Sequence, residues 1–476
     1  MSFYSFTLAG IFLLALQITV TVHILLHKDD VPSAIGWMGL VWLAPVVGSI
    51  AYILLGINRI RRKALRLHNH GKNLFASTGK TPQELEKEVP PSLWQLLHLG
   101  YKTHPQHLSL GNLIKPLING DEAYPRMCQA IAQAKKEVLI ASYIFNNDKA
   151  GRMFASALEK AAQNGAKIRI LVDGVGLNYS RPNIYHALKH IKGLDFAVFL
   201  PSKSPVNFPF VNLRNHRKMM IIDGEIAFFG GMNLAEGNLL THNPKEPIQD
   251  VTFEVQGSVI YQISRLFEED WTFSGQKPFL PQSSHLQNKR FYTGHTPARI
   301  IPDGPDGDFG KVERMCLGAL SCAQKSASII TPYFLPENNI LSALETASLR
   351  GVHVEIILPE KSNIFGMDWA MQANFTRLLN KGVKIYHSAP PFDHSKLFLV
   401  DDIWLFSGSA NWDVRSFKLN FESNIECFDP KLAQQVRGII ENKKKKSALV
   451  SKEDYQNLAW WRRLRNNAFR LLTPYY

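Results

Sequence analysis

The stretch NHRKMMIIDGEIAFFGGMN, residues 215–233, recurs later in the chain as DHSKLFLVDDIWLFSGSAN, residues 393–411. Histidine, lysine, aspartate, glycine and asparagine stand at matching places in the two copies, always 178 residues apart. One such motif would be weak evidence, because short motif matches also arise by chance. Two copies in register are a strong signal, and they predict two homologous halves that each contribute one histidine and one lysine.

In each copy the histidine and the lysine are two residues apart, the spacing that puts two side chains on one face of a β-strand. The candidate catalytic residues of the two motifs are His216, Lys218, Asp223, His394, Lys396 and Asp401. The two aspartates follow the strand and fit the turn to the next one, so we interpret them as structural residues rather than proton carriers. Two such surfaces facing each other would surround a phosphodiester.

Two imidazoles and two ammonium groups suit transfer at a phosphodiester through a covalent intermediate. One neutral imidazole attacks phosphorus. The other, when protonated, donates to the departing alkoxide and then acts as base for the incoming hydroxyl. The lysines neutralise the non-bridging oxygens. No carboxylate-rich cluster or histidine pair at ligand spacing points to a metal, so we expect neither a metal nor a cofactor.

Further polar residues after each motif complete the candidate site. Asn233, Asn411 and Ser409 come after strands that end in small residues, and they are assigned to binding of the substrate phosphate. Each imidazole also needs an acid that orients it through its other nitrogen. Glu422 lies 28 residues beyond His394, and Asp250 holds the roughly matching place after the first histidine. These two residues are the candidate orienting acids.

Other segments extend the duplication. The segment IAQAKKEVLIASYIF (131–145) is echoed by LSCAQKSASIITPYF (320–334), and SALEKAAQNGAKIRILVD (156–173) by SALETASLRGVHVEIILP (342–359). Each half therefore reads as helix, apolar strand, helix with a glycine at its end, and a second apolar strand. This alternation is typical of α/β layers. We predict an α/β fold in which two homologous repeats pack as a pseudo-dimer.

The N-terminal residues have the composition of a membrane anchor. No Asp, Glu, Lys or Arg precedes Lys28, and the apolar run has about the 20 residues that a spanning helix requires. A second charge-free stretch covers residues 31–58, interrupted by Pro45 and Gly48, which membrane helices tolerate. A cleaved signal peptide would need a basic start and a small-residue cleavage site, and both are missing. We predict a two-helix transmembrane hairpin.

The basic residues after the second stretch give an expected orientation. They are Arg59, Arg61, Arg62, Lys63 and Arg66. Such a cluster favours the cytoplasmic side, so both termini and the catalytic part are expected in the cytoplasm. We divide the chain into two transmembrane helices (1–60), a linker (61–106), a first repeat (107–285) and a second repeat with a basic C-terminal segment (286–476).

The net charge of +14 suits a polyanionic surface or substrate, but charge alone does not choose between nucleic acid and anionic lipid. The C-terminal segment WWRRLRNNAFRLL (460–472) carries basic and aromatic residues suited to a membrane surface. A solvated or core-packed helix fits this segment as well. The four cysteines form no CxxC pair, so we interpret them as reduced thiols.

The doubled H-x-K-x4-D motif resembles the signature of the phospholipase D superfamily. Within that superfamily the chain is similar to bacterial cardiolipin synthases. The segments that carry the likeness are VPSAIGWMGLVWLAPVVGSIAYILLG, NLRNHRKMMIIDG, TPYFLPE, LRGVHVEIILPEKSN and SGSANWDVRSFKLNFESN. The resemblance implies transfer of a phosphatidyl group from one phosphatidylglycerol to the hydroxyl of another, giving cardiolipin and glycerol. It also implies that His216 attacks and that His394 is the acid and then the base.

The expected partners and location follow from the same resemblance. They are phosphatidylglycerol and anionic membrane lipids, without nucleic acid, at the inner (cytoplasmic) membrane of a bacterium in a multi-pass arrangement. An alternative is a phospholipase D that hydrolyses a membrane phospholipid to phosphatidic acid, which differs only in the acceptor. A nuclease of the superfamily fits the charge, but the two predicted spans count against it. A membrane scaffold with an inactive site is disfavoured because both motifs are intact.

Overall fold

One mixed sheet of 15 strands runs through both halves of the chain. The computed structural model describes residues 3–28, 30–56, 82–104, 106–201, 213–286 and 293–473. The strands of the first half are β1 (Ser109–Ile118), β2 (Glu137–Ser142), β3 (Lys167–Asp173), β4 (Leu194–Phe199), β5 (Lys218–Ile222), β6 (Ile226–Gly230), β7 (Ile248–Gln249) and β8 (Val251–Gln256). The strands of the second half are β9 (Thr296–Asp303), β10 (Ser326–Ile330), β11 (Phe334–Leu335), β12 (His353–Pro359), β13 (Lys384–Ser388), β14 (Phe392–Asp393), β15 (Leu397–Val400), β16 (Trp404–Gly408), β17 (Trp412–Asp413), β18 (Glu422–Phe428) and β19 (Ser447–Leu449).

The order of the strands shows an internal two-fold symmetry. The first half reads β4-β3-β2-β5-β6-β8-β1, and the second half mirrors it as β9-β18-β16-β15-β10-β12-β13, with β19 added at the far edge. The halves join in the middle, where β1 and β9 pair antiparallel with Ser109 opposite Ala298 and Asn112 opposite Thr296. The predicted pseudo-dimer of two α/β repeats is confirmed.

Helices cover the sheet and connect its parallel strands. The helices before the second half are α1 (Phe3–His27), α2 (Val31–Leu43), α3 (Pro45–Ala51), α4 (Pro82–Leu85), α5 (Trp94–Thr103), α6 (Asn119–Ala132), α7 (Lys149–Gln163), α8 (Tyr185–Leu188) and α9 (Val259–Phe273). Those of the second half are α10 (Lys311–Cys322), α11 (Asn338–Leu349), α12 (Met367–Gln372), α13 (Phe375–Leu379), α14 (Val414–Lys418), α15 (Pro430–Lys444), α16 (Lys452–Gln456) and α17 (Trp460–Arg470).

The predicted alternation of helices and strands is found in both halves. It runs α6-β2-α7-β3 in the first half and α10-β10-α11-β12 in the second, with β2 parallel to β3 and β10 parallel to β12. Gly165 and Gly351 follow α7 and α11 with φ values of +86° and +91°. This left-handed conformation is the one in which glycine ends a helix at little cost.

A shared hydrophobic core joins the two halves. Phe253 of β8, Ile300 of β9 and Ile425 of β18 belong to one buried cluster. Close packing of this kind makes relative movement of the halves costly. The two motif strands therefore keep a fixed position relative to each other.

Among the residues that the structure describes, one helix near the N-terminus is long and apolar enough to cross a membrane. This helix, α1, presents apolar side chains such as Phe12 to the outside, where it is 69% exposed. Outward apolar side chains are typical of a lipid-facing helix. By length, composition and exposure, α1 therefore has the features of a membrane-spanning helix.

The second predicted span is interrupted, as expected from Pro45. Helix α2 ends at Leu43, α3 begins at Pro45, and a π-helical turn covers Tyr52–Gly56. Polar side chains link this segment to α1, since the amide of Gln17 donates to the carbonyl of Val41 at 3.2 Å. The hairpin is thus present as two packed helical segments, whereas the membrane crossing of the second segment stays a prediction. The basic cluster at 59–66 lies outside the described residues.

Candidate active site

Each motif histidine is bound through its backbone to the opposite half of the chain. The N–H of His216 donates to the carbonyl of Phe421 at 2.9 Å, and the N–H of Phe421 donates to the carbonyl of Arg214 at 2.8 Å. In the second motif, β14 runs parallel to β7, and the N–H of His394 donates to the carbonyl of Gln249 at 2.8 Å. Both histidines therefore lie where the two halves meet.

These backbone pairings bring each orienting acid to the histidine of the other half. Glu422 follows Phe421 directly, and both its carboxylate oxygens lie 3.0 Å from Nδ1 of His216. Asp250 comes after β7, and its Oδ2 lies 2.8 Å from Nδ1 of His394. The count along the chain placed each acid after the histidine of its own half, and the structure exchanges the partners. Both predicted acids thus contact a motif imidazole.

The two lysines lie beside the histidines, although the motif strands begin only after the histidines, at Lys218 and Leu397. Nζ of Lys218 lies 2.6 Å from the carbonyl of His216, and Nζ of Lys396 lies 2.6 Å from that of His394. The second ammonium group is also 3.1 Å from each ring nitrogen of His394. Each half thus supplies one imidazole with one ammonium group next to it.

A glycine allows the two clusters to touch. A Cβ at Gly231 of the first half would lie 2.9 Å from Cδ of Lys396 and 3.1 Å from the carbonyl of Gly408, both of the second half. Any side chain at this position would push Lys396 away. The small residues after the first motif therefore serve close contact between the halves.

Burial and the neighbouring lysines keep both imidazoles neutral. Burial, opposed by Glu422 and assisted by Lys218 and Lys396, lowers the pKa of His216 to about 4. Burial, Lys396 and Lys218 lower the pKa of His394 to about 4, against Asp250. Each lysine acts on the histidine of both halves, so the clusters share one electrostatic environment. A neutral imidazole at neutral pH is a competent nucleophile.

The charged partners are shifted by the same burial. Burial lowers the pKa of Lys396 to about 8, although Asp250 and Glu422 oppose it. Burial also lowers the pKa of Lys218 well below its usual range. For Glu422, burial raises the pKa, but the His216 imidazole and Lys218 more than offset it and hold that carboxyl below its ordinary value. The acid beside His216 is therefore ionised, as orientation of an imidazole requires.

The two motif aspartates lie outside this cluster, in turns where each accepts from backbone N–H groups, so the contacts of both fit a structural role. Asp223 accepts from the N–H groups of Lys135, Lys136 and Glu137 at 2.7–2.9 Å. Asp401 accepts in the same way from residues 324, 325 and 326 at 2.7–2.9 Å. Each aspartate stands at the far end of the strand that follows the histidine motif, and this strand of five residues in the first half and four in the second is roughly 13–17 Å long.

We expect Asp223→Ala to destabilise the fold without removing the chemistry. The variant leaves three backbone N–H groups without a charged acceptor and puts alanine at φ 52°, for a loss of about 2–4 kcal/mol. Thermal unfolding in detergent measures the loss, and turnover per folded molecule should match the parent. Exposed Glu225→Ala in the same hairpin is the matched control. Normal stability with lost turnover would restore a catalytic role.

The three residues predicted to bind the substrate phosphate have different surroundings. Ser409 is fully buried, and its hydroxyl donates to Oε2 of Glu422 at 2.5 Å, so its observed contact supports the orienting acid. Oδ1 of Asn411 is buried without a hydrogen-bond partner among the described residues. Asn233 accepts from the N–H of Ile144 at 3.3 Å through its Oδ1, which leaves its amide N–H groups for other partners. Phosphate binding by the two asparagines stays a prediction.

Two tyrosines beside the histidines were missed from the sequence. The rings of Tyr143 and His216 meet edge-on with centroids 5.1 Å apart, and those of Tyr333 and His394 with centroids 6.5 Å apart. Both stand just after a buried strand of the echoed segments, ASYIF and TPYF. The signal was a tyrosine near the end of the same strand in both halves, a position where α/β folds place functional residues.

Comparison with known proteins places this geometry in a family. The family model described as "Cardiolipin synthase, PLD-like domain" matches residues 127–271 and 317–444, and "Phospholipase_D-nuclease N-terminal" matches residues 15–56. The matched ranges of the first model cover more than half of the chain. The chain belongs to the phospholipase D-type cardiolipin synthase family. The predicted resemblance and the predicted enzyme class, a phosphatidyltransferase, are confirmed with it.

Relatives and solved structures agree with this membership. The chain is 31% identical to cardiolipin synthase 1 of Bacillus anthracis, over 98% of this chain and 94% of that one. It is 28% identical to the major cardiolipin synthase ClsA of Bacillus subtilis over the full length of both. The crystal structure of phosphatidylserine synthase from Haemophilus influenzae matches 81% of this chain and 99% of that one, with a TM-score of 0.61 at 15% identity. This last likeness concerns the fold alone.

Proposed function

We propose that this chain makes cardiolipin by transferring a phosphatidyl group between two molecules of phosphatidylglycerol, through a phosphohistidine at His216. The observation that carries the proposal is the exchange of acids between the halves. Each imidazole is oriented at Nδ1 by a carboxylate of the opposite half. Such an orientation leaves Nε2 of His216 for attack on the substrate and puts Nε2 of His394 beside the Lys396 ammonium group at 3.1 Å, so we treat the two half-sites as one site.

In the first step, Nε2 of His216 attacks phosphorus and the bond to the glycerol oxygen breaks. The leaving alkoxide takes a proton from Nε2–H of His394, and free glycerol departs. The pKa of His394 is about 4 without substrate, and an anionic phosphodiester beside it favours the charged form. The two lysine ammonium groups stabilise the charge that develops on the non-bridging oxygens.

In the second step, a hydroxyl of another phosphatidylglycerol gives its proton to Nε2 of His394 and attacks phosphorus. The bond from phosphorus to His216 breaks, cardiolipin forms, and both imidazoles return to their starting states. The competing acceptor is water, which would give phosphatidic acid instead. Exclusion of water at a lipid interface favours the lipid acceptor.

The product assay tests this proposal. Purified enzyme in vesicles of phosphatidylglycerol should release glycerol and cardiolipin in equal amounts. Added EDTA should leave the rate unchanged, because the lysines supply the positive charge. The His242→Asn variant, changed at an exposed histidine, is the matched control. Phosphatidic acid as the main product would establish hydrolysis and reject the proposal, and strong inhibition by EDTA would reject the metal-free mechanism.

We expect Lys396→Met to lower kcat by about 10²–10³, the effect of removing one preorganised group that stabilises transition-state charge. The variant should also move the acid limb of kcat/KM to higher pH. The nucleophile must be neutral, and Lys396 is one of the charges that lower the pKa of His216 to about 4, so its removal raises that pKa. Lys160→Met on the exposed face of α7 is the control. An unshifted limb with parental kcat would contradict the assigned role.

We also propose that the protein is a multi-pass protein of the bacterial inner membrane, with its catalytic halves on the cytoplasmic side. Support comes from α1, the apolar segment after it and the basic cluster at 59–66. A membrane-impermeant thiol reagent should label a cysteine at exposed Lys160 only after intact cells are opened. Labelling in intact cells would place the catalytic part outside.

A further inference from the structure

The C-terminal helix α17 packs on the catalytic part by one side only. Asn466 is buried and its amide reaches Gln372 of α12 at 3.4 Å. Phe469 meets Trp369 with ring centroids 4.8 Å apart, and the guanidinium of Arg465 lies 4.4 Å above the same indole. These contacts fix the helix and determine which of its faces is left uncovered.

The uncovered face of α17 is apolar. Trp460 is 76% exposed, Leu464 is 62% exposed and Leu471 just after the helix is 77% exposed. With 3.6 residues per turn these positions fall on one side of the helix, opposite Asn466 and Phe469. A helix on a water-soluble surface turns its apolar stripe inward, whereas this helix turns its apolar stripe outward.

The same helix carries only positive charge. Arg462, Arg463 and Arg470 are exposed, and no acidic residue occurs between Trp460 and Arg470. Exposed aromatic and leucine side chains flanked by arginines are the composition of helices that lie in the interface of an anionic bilayer. A symmetric contact between two copies would bring the same positive patches together, so charge opposes a second copy as the occupant.

The apolar surface continues toward the active site. Phe365, 78% exposed, meets the ring of Phe469 with centroids 5.8 Å apart. Two residues before it, Asn363 accepts from the hydroxyl of Tyr333 at 2.7 Å, and Tyr333 lies edge-on to His394. A short path of contacts thus joins the exposed apolar surface to a catalytic imidazole.

We propose that α17 and Phe365 form a second membrane contact, which lies in the headgroup layer of an anionic bilayer and holds the opening of the active site against it. The contact surface consists of Trp460, Trp461, Leu464, Leu471, Leu472 and Phe365. This inference goes beyond the proposed function, since it concerns binding to the bilayer surface and its test needs no turnover. The transmembrane anchor keeps the chain at the membrane, and this surface sets its orientation there.

The test measures burial of one site in lipid with the full chain in nanodiscs. An environment-sensitive dye is attached at Leu464→Cys, with Lys160→Cys on α7 as the control and the unsubstituted chain as background for Cys128 and Cys322. In discs of phosphatidylglycerol and phosphatidylethanolamine, the dye at position 464 should show blue-shifted emission that brominated acyl chains quench. The dye at position 160 should show neither effect.

The same measurement tests whether the contact depends on anionic lipid, and whether lipid, protein or water lies against the helix. Discs of phosphatidylcholine should give weaker quenching at position 464, and Arg462→Gln with Arg463→Gln should lower the ratio of membrane-bound to free helix by roughly five-fold per arginine in the anionic discs. Equal quenching in both kinds of disc would show that the contact does not require anionic lipid and would overturn the proposal of an anionic bilayer. Blue-shifted emission that brominated chains do not quench would mean that protein covers the helix, and water-like emission would mean that nothing does; either result overturns the proposal.

Discussion

His216→Asn is expected to abolish formation of the covalent phosphatidyl intermediate, whereas His394→Asn is expected to form the intermediate and retain it. The substrate that separates the two is a phosphatidyl ester of 4-nitrophenol, whose leaving group departs without a proton donor. His394 is then dispensable in the first step but still needed as base in the second. With phosphatidylglycerol itself, both variants should lose turnover, the second by about 10²–10⁴-fold.

Rapid quenching followed by mass spectrometry of the peptide that contains residue 216 measures this difference. His242→Asn, with an exposed histidine outside the cluster, should behave as the parent enzyme. A phosphatidyl group on the peptide that contains residue 394 would reverse the roles of the two histidines. Near-parental turnover of either variant with phosphatidylglycerol would reject a site shared by the halves.

Glu422→Gln is expected to slow the first step, and Asp250→Asn the second, because each acid orients the histidine of the other half. Glu422 lies 3.0 Å from Nδ1 of His216, the proposed nucleophile. An amide there favours the wrong tautomer, which in an acid–histidine pair costs up to about 10⁴ in rate. Asp250 contacts His394 at 2.8 Å, so its amide variant should form the intermediate from the nitrophenyl ester and release it slowly.

The burst of nitrophenol separates the two acid variants. Asp250→Asn should keep a rapid burst followed by a slow steady state, and Glu422→Gln should lose the burst. Thr252→Ser, a conservative change two residues beyond Asp250 on β8, is the control for the strand. If each acid served the histidine of its own half, the two variants would show the opposite behaviour, and the exchange seen in the structure would be contradicted.

Much of the fold could be predicted because its signals are local. Alternating helices and apolar strands, the glycines after α7 and α11 and the two-residue spacing of His216 and Lys218 each depend on a short stretch of chain. The turn at Asp223 is of the same kind, since aspartate accepts a positive φ and bonds nearby amides. Duplication then doubled each of these signals.

The exchange of acids could not be predicted because it depends on how the halves meet. The strands that produce it, β7 and β14, are two residues long, too short to show any periodicity. The burial of Ser409 depends on strand pairing within the second half, since its partner Glu422 begins the neighbouring strand β18, 13 residues further on. The sequence identified the two histidines, the two lysines and the two acids as candidates, and tertiary pairing decided which of them lie together.

The structure of the enzyme with orthovanadate shows whether both histidines meet at one phosphorus, because vanadate takes the geometry of a phosphoryl group under attack. We expect one vanadium atom with Nε2 of His216 and Nε2 of His394 on opposite sides, and with the ammonium groups of Lys218 and Lys396 on its equatorial oxygens. Two vanadates bound in separate pockets, or a single one contacted by only one of the two histidines, would contradict this expectation.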